Sequence, residues 1–378
     1  MESRYDLLYA KVNNILEERD SIFPARPNDN TEKMKRYLAE LLDFLEEQKS
    51  VRSWSPDKRI VKQAENIKEQ GVFLCGPMKS GTTLLLELLD GHDELSVLPG
   101  DSWLWRMLCK GPGDSTFGER GWARHWVKRF INPKGQKPFW LFGPGAEQYI
   151  FLLNYFDFWY SKLPAEKRRV VLAVIFSYLS VNPFRPLHPT RWVEKTPGNE
   201  LRVKELNTHF PEAKYIHVIR DPRENLASIK RLYLSREWPW NVRSFARSLS
   251  DSYRLALHYS EKFGRDRYMV IRYEDLTSNT REVMSEIADF IGVSWSDSFL
   301  VPTVNRALTK ANTMYADRQV TGAVRRPTLD KWRIELSFFE QGVAQQLHRT
   351  AQKMNYSWEM SAPDYIKRIL FTWSLIGA

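Results

Sequence analysis

The chain has 378 residues, 43% of them hydrophobic, enough for a sizeable core in one elaborated domain or two ordinary ones. Its 56 Lys and Arg against 46 Asp and Glu leave a formal charge of +10 and a pI near 9.4. That balance suits an anionic small ligand or an anionic membrane surface, and the dispersal of the basic residues, with no basic tail, argues against nucleic acid. Cys75 and Cys109 are too few for a disulfide framework. No apolar run approaches the ~18 residues of a membrane span, and the charged start Met1-Glu2-Ser3-Arg4 lacks the apolar core of a signal peptide. A cytoplasmic protein without a transmembrane segment is expected, with peripheral membrane contact left open.

In chain order, Leu7, Leu8, Val12, Ile15 and Leu16 fall on one helical stripe over residues 5–19. Pro24 and Pro27 break the chain. Asn30 or Thr31 is then placed to cap a second amphipathic helix carrying Met34, Leu38, Leu41, Leu42 and Leu45. Residues 1–70 read as a helical N-terminal extension that packs on the core or mediates oligomerisation, and residues 71–378 as the main domain.

Val72-Phe73-Leu74-Cys75 is an apolar run too compact for a helix, so it reads as a buried strand. The small-residue loop Gly76–Thr83 and the leucine-rich helix from Leu84 follow, with Gly91 as a stop. Strand, tight loop and helix start together form an anion cradle, because backbone N–H groups and the helix dipole converge there. Gly76 and Gly81 keep the glycine spacing of a Walker loop. Thr82, however, stands where the Walker lysine belongs, and the lysine comes earlier, as Lys79.

Residues 99–145 form a long irregular insert rich in Gly, Pro and Trp, the kind that lines or covers a site. Aromatic residues crowd a helix over Tyr149–Tyr160, and Val170–Leu179 reads as a buried helix. Strands follow at 191–195, 215–219 and 268–271, alternating with helices from Asn199, from Arg223, over 241–263 and over 280–291 closed by Gly292. This alternation implies a parallel sheet with helices on both faces and ligands outside the carboxyl ends of the strands. Lys79, Lys195, Arg220 and Tyr273 each fall at or just after a strand end, which places them in one site.

From about residue 71 to 357 these motifs resemble the PAPS-dependent sulfotransferase superfamily. Pro77–Thr83 resembles the family's 5′-phosphosulfate loop, and Ile219-Arg220-Asp221-Pro222 with Ser228 resembles its 3′-phosphate signature. Arg272-Tyr273-Glu274-Asp275-Leu276 is similar to its strand-end motif. Arg325-Arg326-Pro327, seven residues before Trp332, looks like its late phosphate-binding segment, with Pro327 in place of the usual glycine. The resemblance implies a three-layer α/β/α fold with a central parallel sheet and a P-loop-like phosphosulfate loop, plus the helical extension. It implies PAPS as sulfuryl donor, in-line transfer to a hydroxyl or amine, and no metal. Lys79, Ser80, Gly81, Thr82, Thr83, Arg220, Ser228, Tyr273, Arg325 and Lys331 would hold the donor. Lys79 would stabilise charge on the departing oxygen with help from Lys195.

For the general base, Asp101 matches the position of a glutamate in one branch of the family, given a one-residue insertion after His92. His92, Glu94 and Glu194 are the alternatives, His92 being placed to cap a helix and Glu194 to orient Lys195 or arginine side chains. The acceptor stays open among sugar, lipid headgroup, phenol and peptide tyrosine. The competing activity is a P-loop nucleotide kinase or GTPase, disfavoured by Thr82 and by Asp221 standing behind Arg220. A further alternative is a non-catalytic scaffold working through its N-terminal helices.

Overall fold

A computed structural model of the chain describes residues 2–21, 29–105, 108, 126–127, 142, 145–309, 322–326 and 330–356. Cys109, Pro327, the side chain of Leu16 and most of the insert expected over 99–145 lie outside the described residues.

A five-stranded sheet organises the molecule: β1 (Gly71–Cys75), β2 (Leu95–Val97), β3 (Arg191–Lys195), β4 (Lys214–Ile219) and β5 (Tyr268–Arg272). Every pair is parallel, in the order β2-β3-β1-β4-β5. The order reverses about β1, and a ligand crevice opens at the carboxyl ends of strands flanking such a reversal. Helices cover both faces, which is why β1, β4 and β5 read largely as apolar runs. Side chains still alternate between faces: Phe73, Cys75 and Tyr215 point to one, while Val72, Leu74, Ile216 and Val218 point to the other. The three-layer α/β/α expectation holds. Among the elements that escaped the sequence reading are β2, helix α3 (Lys58–Asn66) and the short antiparallel pair Thr303–Val304 and Ala307–Leu308.

On the first face lie α5 (Glu147–Lys162) and α6 (Arg169–Val181), the latter buried from Val170 to Val181. The N-terminal helices α1 (Glu2–Ser21) and α2 (Asp29–Val51) share this core through Tyr5, Leu8, Val12, Ile15, Met34, Leu38, Leu41, Leu42 and Leu45. Leu7, expected on the stripe, is 56% exposed, and Tyr5 takes its place inward. Helix α2 begins at Asp29, ahead of both caps proposed for it.

The second face carries α4 (Thr82–Leu89) and α11 (Thr280–Ile291), the latter ended by Gly292 at φ 70°. Helix α7 (Val203–His209) precedes β4, and the short α10 (Tyr273–Ser278) follows β5. A third cluster packs α8 (Pro222–Leu234) and α9 (Val242–Phe263) against α12 (Trp332–Glu335), α13 (Phe338–Gln345) and α14 (His348–Lys353). Ser337 and Glu340 close a reciprocal capping box on α13, and Lys230 of α8 pairs with Glu340 at 2.6 Å. Among the described residues, no helix is long and apolar enough to cross a membrane.

Candidate anion and transfer site

The loop after β1 turns through three residues with positive φ: Gly76 at 142°, Lys79 at 67° and Gly81 at 113°. A Cβ on Gly76 would stand 2.5 Å from the Val218 carbonyl oxygen, and one on Gly81 would stand 2.3 Å from the Tyr273 ring. Both glycines are therefore required by conformation and by contact. Ser80 N–H closes a tight turn onto Pro77 O at 3.1 Å, and α4 starts at once with Leu85 N–H on Gly81 O at 3.1 Å. Thr82 is buried against Gly76.

Lys79 accordingly carries the loop's positive charge. Burial, followed by the charges of Arg220, Arg231, Arg236 and Lys195, lowers its pKa to about 8. Such a gathering of cations favours an anion among them. Arg231 and Arg236 were not anticipated from the sequence, since they sit 11 and 16 residues beyond Arg220 with no motif to mark them.

Register places Arg220. Cys75 at the end of β1 lies opposite His217, so β4 runs on through Val218 and Ile219 after β1 has stopped. Arg220 then rises beside the loop. Its Nη1 donates to Lys79 O at 3.3 Å, and its guanidinium lies 4.7 Å from the Tyr273 ring centre. The Tyr253 hydroxyl donates to the Arg220 carbonyl. Asp221 caps α8, accepting from Arg223 N at 2.9 Å and from the Arg223 guanidinium at 2.6 and 3.0 Å. These bonds make Asp221 a cap rather than a metal-binding carboxylate. Glu274 secures the same corner, accepting from Asp221 N at 3.0 Å and from the Tyr356 hydroxyl at 2.8 Å.

Lys195 ends β3 with its side chain only 4% exposed. Its Nζ donates to Thr83 Oγ1 at 3.1 Å and pairs with Asp101, whose carboxylate is 40% exposed. Loop, strand end and acidic segment therefore meet at one ammonium. Glu194, one residue earlier, points the other way into the core. It accepts from the Ser102 hydroxyl, from Thr196 Oγ1 at 2.6 Å and from Asn199 Nδ2 at 2.7 Å, and burial raises its pKa. Thr196 Oγ1 in turn accepts from Trp103 N at 2.8 Å. Glu194 thus steadies the segment that follows Asp101 and does not touch Lys195 through a hydrogen bond.

His92 and Glu94 lie at the opposite edge, on the segment leading into β2. His92 Nε2–H donates to Ser294 O at 2.9 Å, and Nδ1 accepts from Glu94 N at 3.1 Å. Glu94 accepts from Ser294 N at 2.9 Å. The structure therefore does not bring these two to the loop. Ser228 is buried two turns into α8, Lys331 is half-buried just before Trp332, and Arg325 is exposed beside Val324, which packs on the cluster around α4. Among the described residues, no hydrogen bond or ion pair joins these three to the loop. Nor, among the described residues, does any group of three or more His, Cys, Asp or Glu stand ready to hold a metal ion.

Comparison with known proteins gives a consistent result. The Sulfotransferase family model matches residues 71–297. Protein-tyrosine sulfotransferase 2 of Gallus gallus is 23% identical over 232 residues, covering 61% of this chain and 53% of its own length, so the chain spans about half of that relative. The sulfotransferase domain from the curacin biosynthetic pathway aligns with 19% identity and a TM-score of 0.50 over 76% of this chain and 98% of that one, a match in fold. The sulfotransferase domain of the Synechococcus PCC 7002 olefin synthase aligns with 22% identity and a TM-score of 0.49 over 76% and 95%. With the family model covering more than half its length, the chain belongs to the sulfotransferase family.

Proposed function

We propose that the site binds PAPS and transfers its sulfuryl group in line to an acceptor hydroxyl or amine. The observation that carries this reading is the group of cations around Lys79, set on a glycine-turned loop at the reversal point of the sheet. The residues fit such a ligand: Ser80 Oγ and Arg220 Nε are buried without a partner, and a buried polar atom left unpaired costs about 1–3 kcal/mol. A ligand with an anion at each end, one at the loop and one at Arg220, offers each of them an acceptor.

When bound, PAPS supplies the sulfuryl group and departs as adenosine 3′,5′-bisphosphate. The N–H groups at the start of α4 and the hydroxyls of Thr82 and Thr83 hold the 5′ end, while Arg220 and Ser228 hold the 3′-phosphate; Tyr273 supports Arg220, and Arg325 and Lys331 add positive charge. Lys79 donates to the oxygen on which charge develops, a contact that strengthens in the transition state. Lys195 orients Asp101, and Asp101, exposed on its outer side, takes the proton from the acceptor. Residues 71–378 carry the reaction, with residues 1–70 as an extension. Among sugar, lipid, phenol and peptide acceptors, the name of the Gallus gallus relative puts a peptide tyrosine first for testing.

The test is calorimetry with adenosine 3′,5′-bisphosphate and 5′-AMP, followed by turnover of labelled PAPS on a tyrosine peptide. A charge-assisted contact at Arg220 is worth about 1.5–3 kcal/mol, so the bisphosphate binds roughly ten- to a hundredfold more tightly. Equal affinities sink the 3′ socket. Turnover of ATP in place of PAPS restores the kinase alternative.

A further inference from the structure

Behind the loop lies a buried polar chain that the transfer reading leaves unused. Gly76 N–H donates to Glu200 Oε2 at 2.9 Å, and the Ser252 hydroxyl donates to Glu200 Oε1 at 2.8 Å. His217 Nε2 faces Ser252 Oγ at 3.1 Å, and its Nδ1 faces the Tyr268 hydroxyl at 2.8 Å. All four side chains are buried. They come from separate elements: the 3-10 turn Asn199–Arg202 after β3, α9, β4 and β5.

The bonds fix one another's direction. Burial lowers the His217 pKa to about 3, so the ring is neutral and carries a single N–H. The Ser252 O–H is committed to Glu200, so its oxygen accepts from His217 Nε2–H, and Nδ1 accepts from Tyr268. Each donor therefore points toward Glu200. At the other carboxylate oxygen stands the N–H of Gly76, the first residue of the anion loop, held at φ 142° and crowded by Val218 O and Ser80 Oγ. The peptide that opens the loop is thus turned inward onto a carboxylate, and the positive-φ turns at Lys79 and Gly81 follow it.

We propose that Glu200 is the positioning residue of the anion loop, fixing Gly76 so that the donors after it converge on the ligand. This rests on the reading of the loop as the 5′-phosphosulfate site. Nothing in the sequence marked it: Glu200 looks like an acid in the first turn of a helix.

The experiment uses the full chain and three variants, with adenosine 3′,5′-bisphosphate affinity, kcat at saturating PAPS, thermal midpoint and hydrogen exchange at the Gly76 amide as readouts. Glu200→Gln keeps an oxygen for Gly76, and its NH₂ donates to Ser252 once the chain reverses through the other His217 tautomer. It therefore stays within about threefold of the wild-type affinity. Glu200→Met keeps the length but offers no acceptor; affinity falls about tenfold or more, Gly76 exchanges faster, and kcat at saturation changes far less than affinity. A merely structural role lowers the thermal midpoint of both variants and leaves the affinity of the folded protein unchanged. Wild-type affinity in Glu200→Met overturns the proposal. Should that variant not fold, Glu200→Asp, one methylene too short to reach Gly76, takes its place, and unchanged affinity with unchanged Gly76 exchange overturns the proposal equally. If the wild-type chain binds no bisphosphate, the ligand reading fails alone, because Gly76 exchange in Glu200→Met and Glu200→Asp still reports on positioning.

Discussion

The two edges of the central sheet use the same residue types to different ends. At the amino edge, His92 stacks on Phe299 at 4.4 Å and bonds to Ser294 and Glu94; Asp93 pairs with Arg306; Asp90 accepts from Thr303 Oγ1 at 2.7 Å and from Arg306 N at 2.9 Å. Charge and hydrogen bonds close on one another there. At the carboxyl edge, burial and then the neighbouring charges of Arg220, Arg231, Arg236 and Lys195 weaken the hold of Lys79 on its proton. Ser80 Oγ and Arg220 Nε lack partners. What distinguishes the candidate site is the gathering of like charge together with this incomplete pairing, since a buried unpaired atom alone also occurs at the amino edge, at Arg191 Nη1.

The comparison breaks hardest at Lys79. Lys79→Ala removes one preorganised donor and lowers kcat by about 10²–10³ in single-turnover measurements, while bisphosphate affinity changes modestly because the backbone donors remain. If kcat at saturating PAPS stays near normal, the loop lysine only binds, and Lys195 inherits its role. Asp101→Asn loses about a hundredfold in kcat as the base is removed, with bisphosphate affinity undiminished because the lost charge repels the ligand; a parallel loss of affinity assigns Asp101 to binding.

A gentler probe is pH. The free enzyme's Lys79 titrates near 8, and an anion favours its charged form. Affinity is therefore full below that pH and falls as pH rises through it, no further than the modest loss in Lys79→Ala, while kcat/KM falls by up to about tenfold per unit and kcat holds to slightly higher pH. Lys79→Arg flattens the profile, and a limb that survives this change belongs to another group. The smallest functional effect is expected at the amino edge. His92→Ala costs about 1–2 kcal/mol in urea unfolding and leaves kcat unchanged; a fall in kcat without loss of stability returns His92 to the list of bases.

Much of this was legible in the sequence, for identifiable reasons. β1, β4 and β5 carry apolar runs, β3 is marked by Trp192-Val193 and the stop at Thr196-Pro197, and Gly76, Lys79 and Gly81 mark the loop. β2 has three residues, too few for a pattern, and α3 buries only Ile60 and Ala64 among charged neighbours. Long-range pairing was the harder part. Lys195 and Asp101 are 94 positions apart, and their meeting depends on Leu98 N–H bonding to Val193 O and Ser102 N–H to Lys195 O, which no local spacing encodes. Glu194 and Glu200 look alike on paper as acids near a strand end. Only burial and partners reveal that one steadies the segment that follows Asp101 and the other faces Gly76.

The Tyr273 ring, which meets both Gly81 and the Arg220 guanidinium, has a geometric consequence. Together with the Arg220 Nη1 bond to Lys79 O, it lashes the arginine to the loop. On the proposed reading, that lashing presents the nucleotide with a preset frame, and a ligand is measured by how it spaces its two anions.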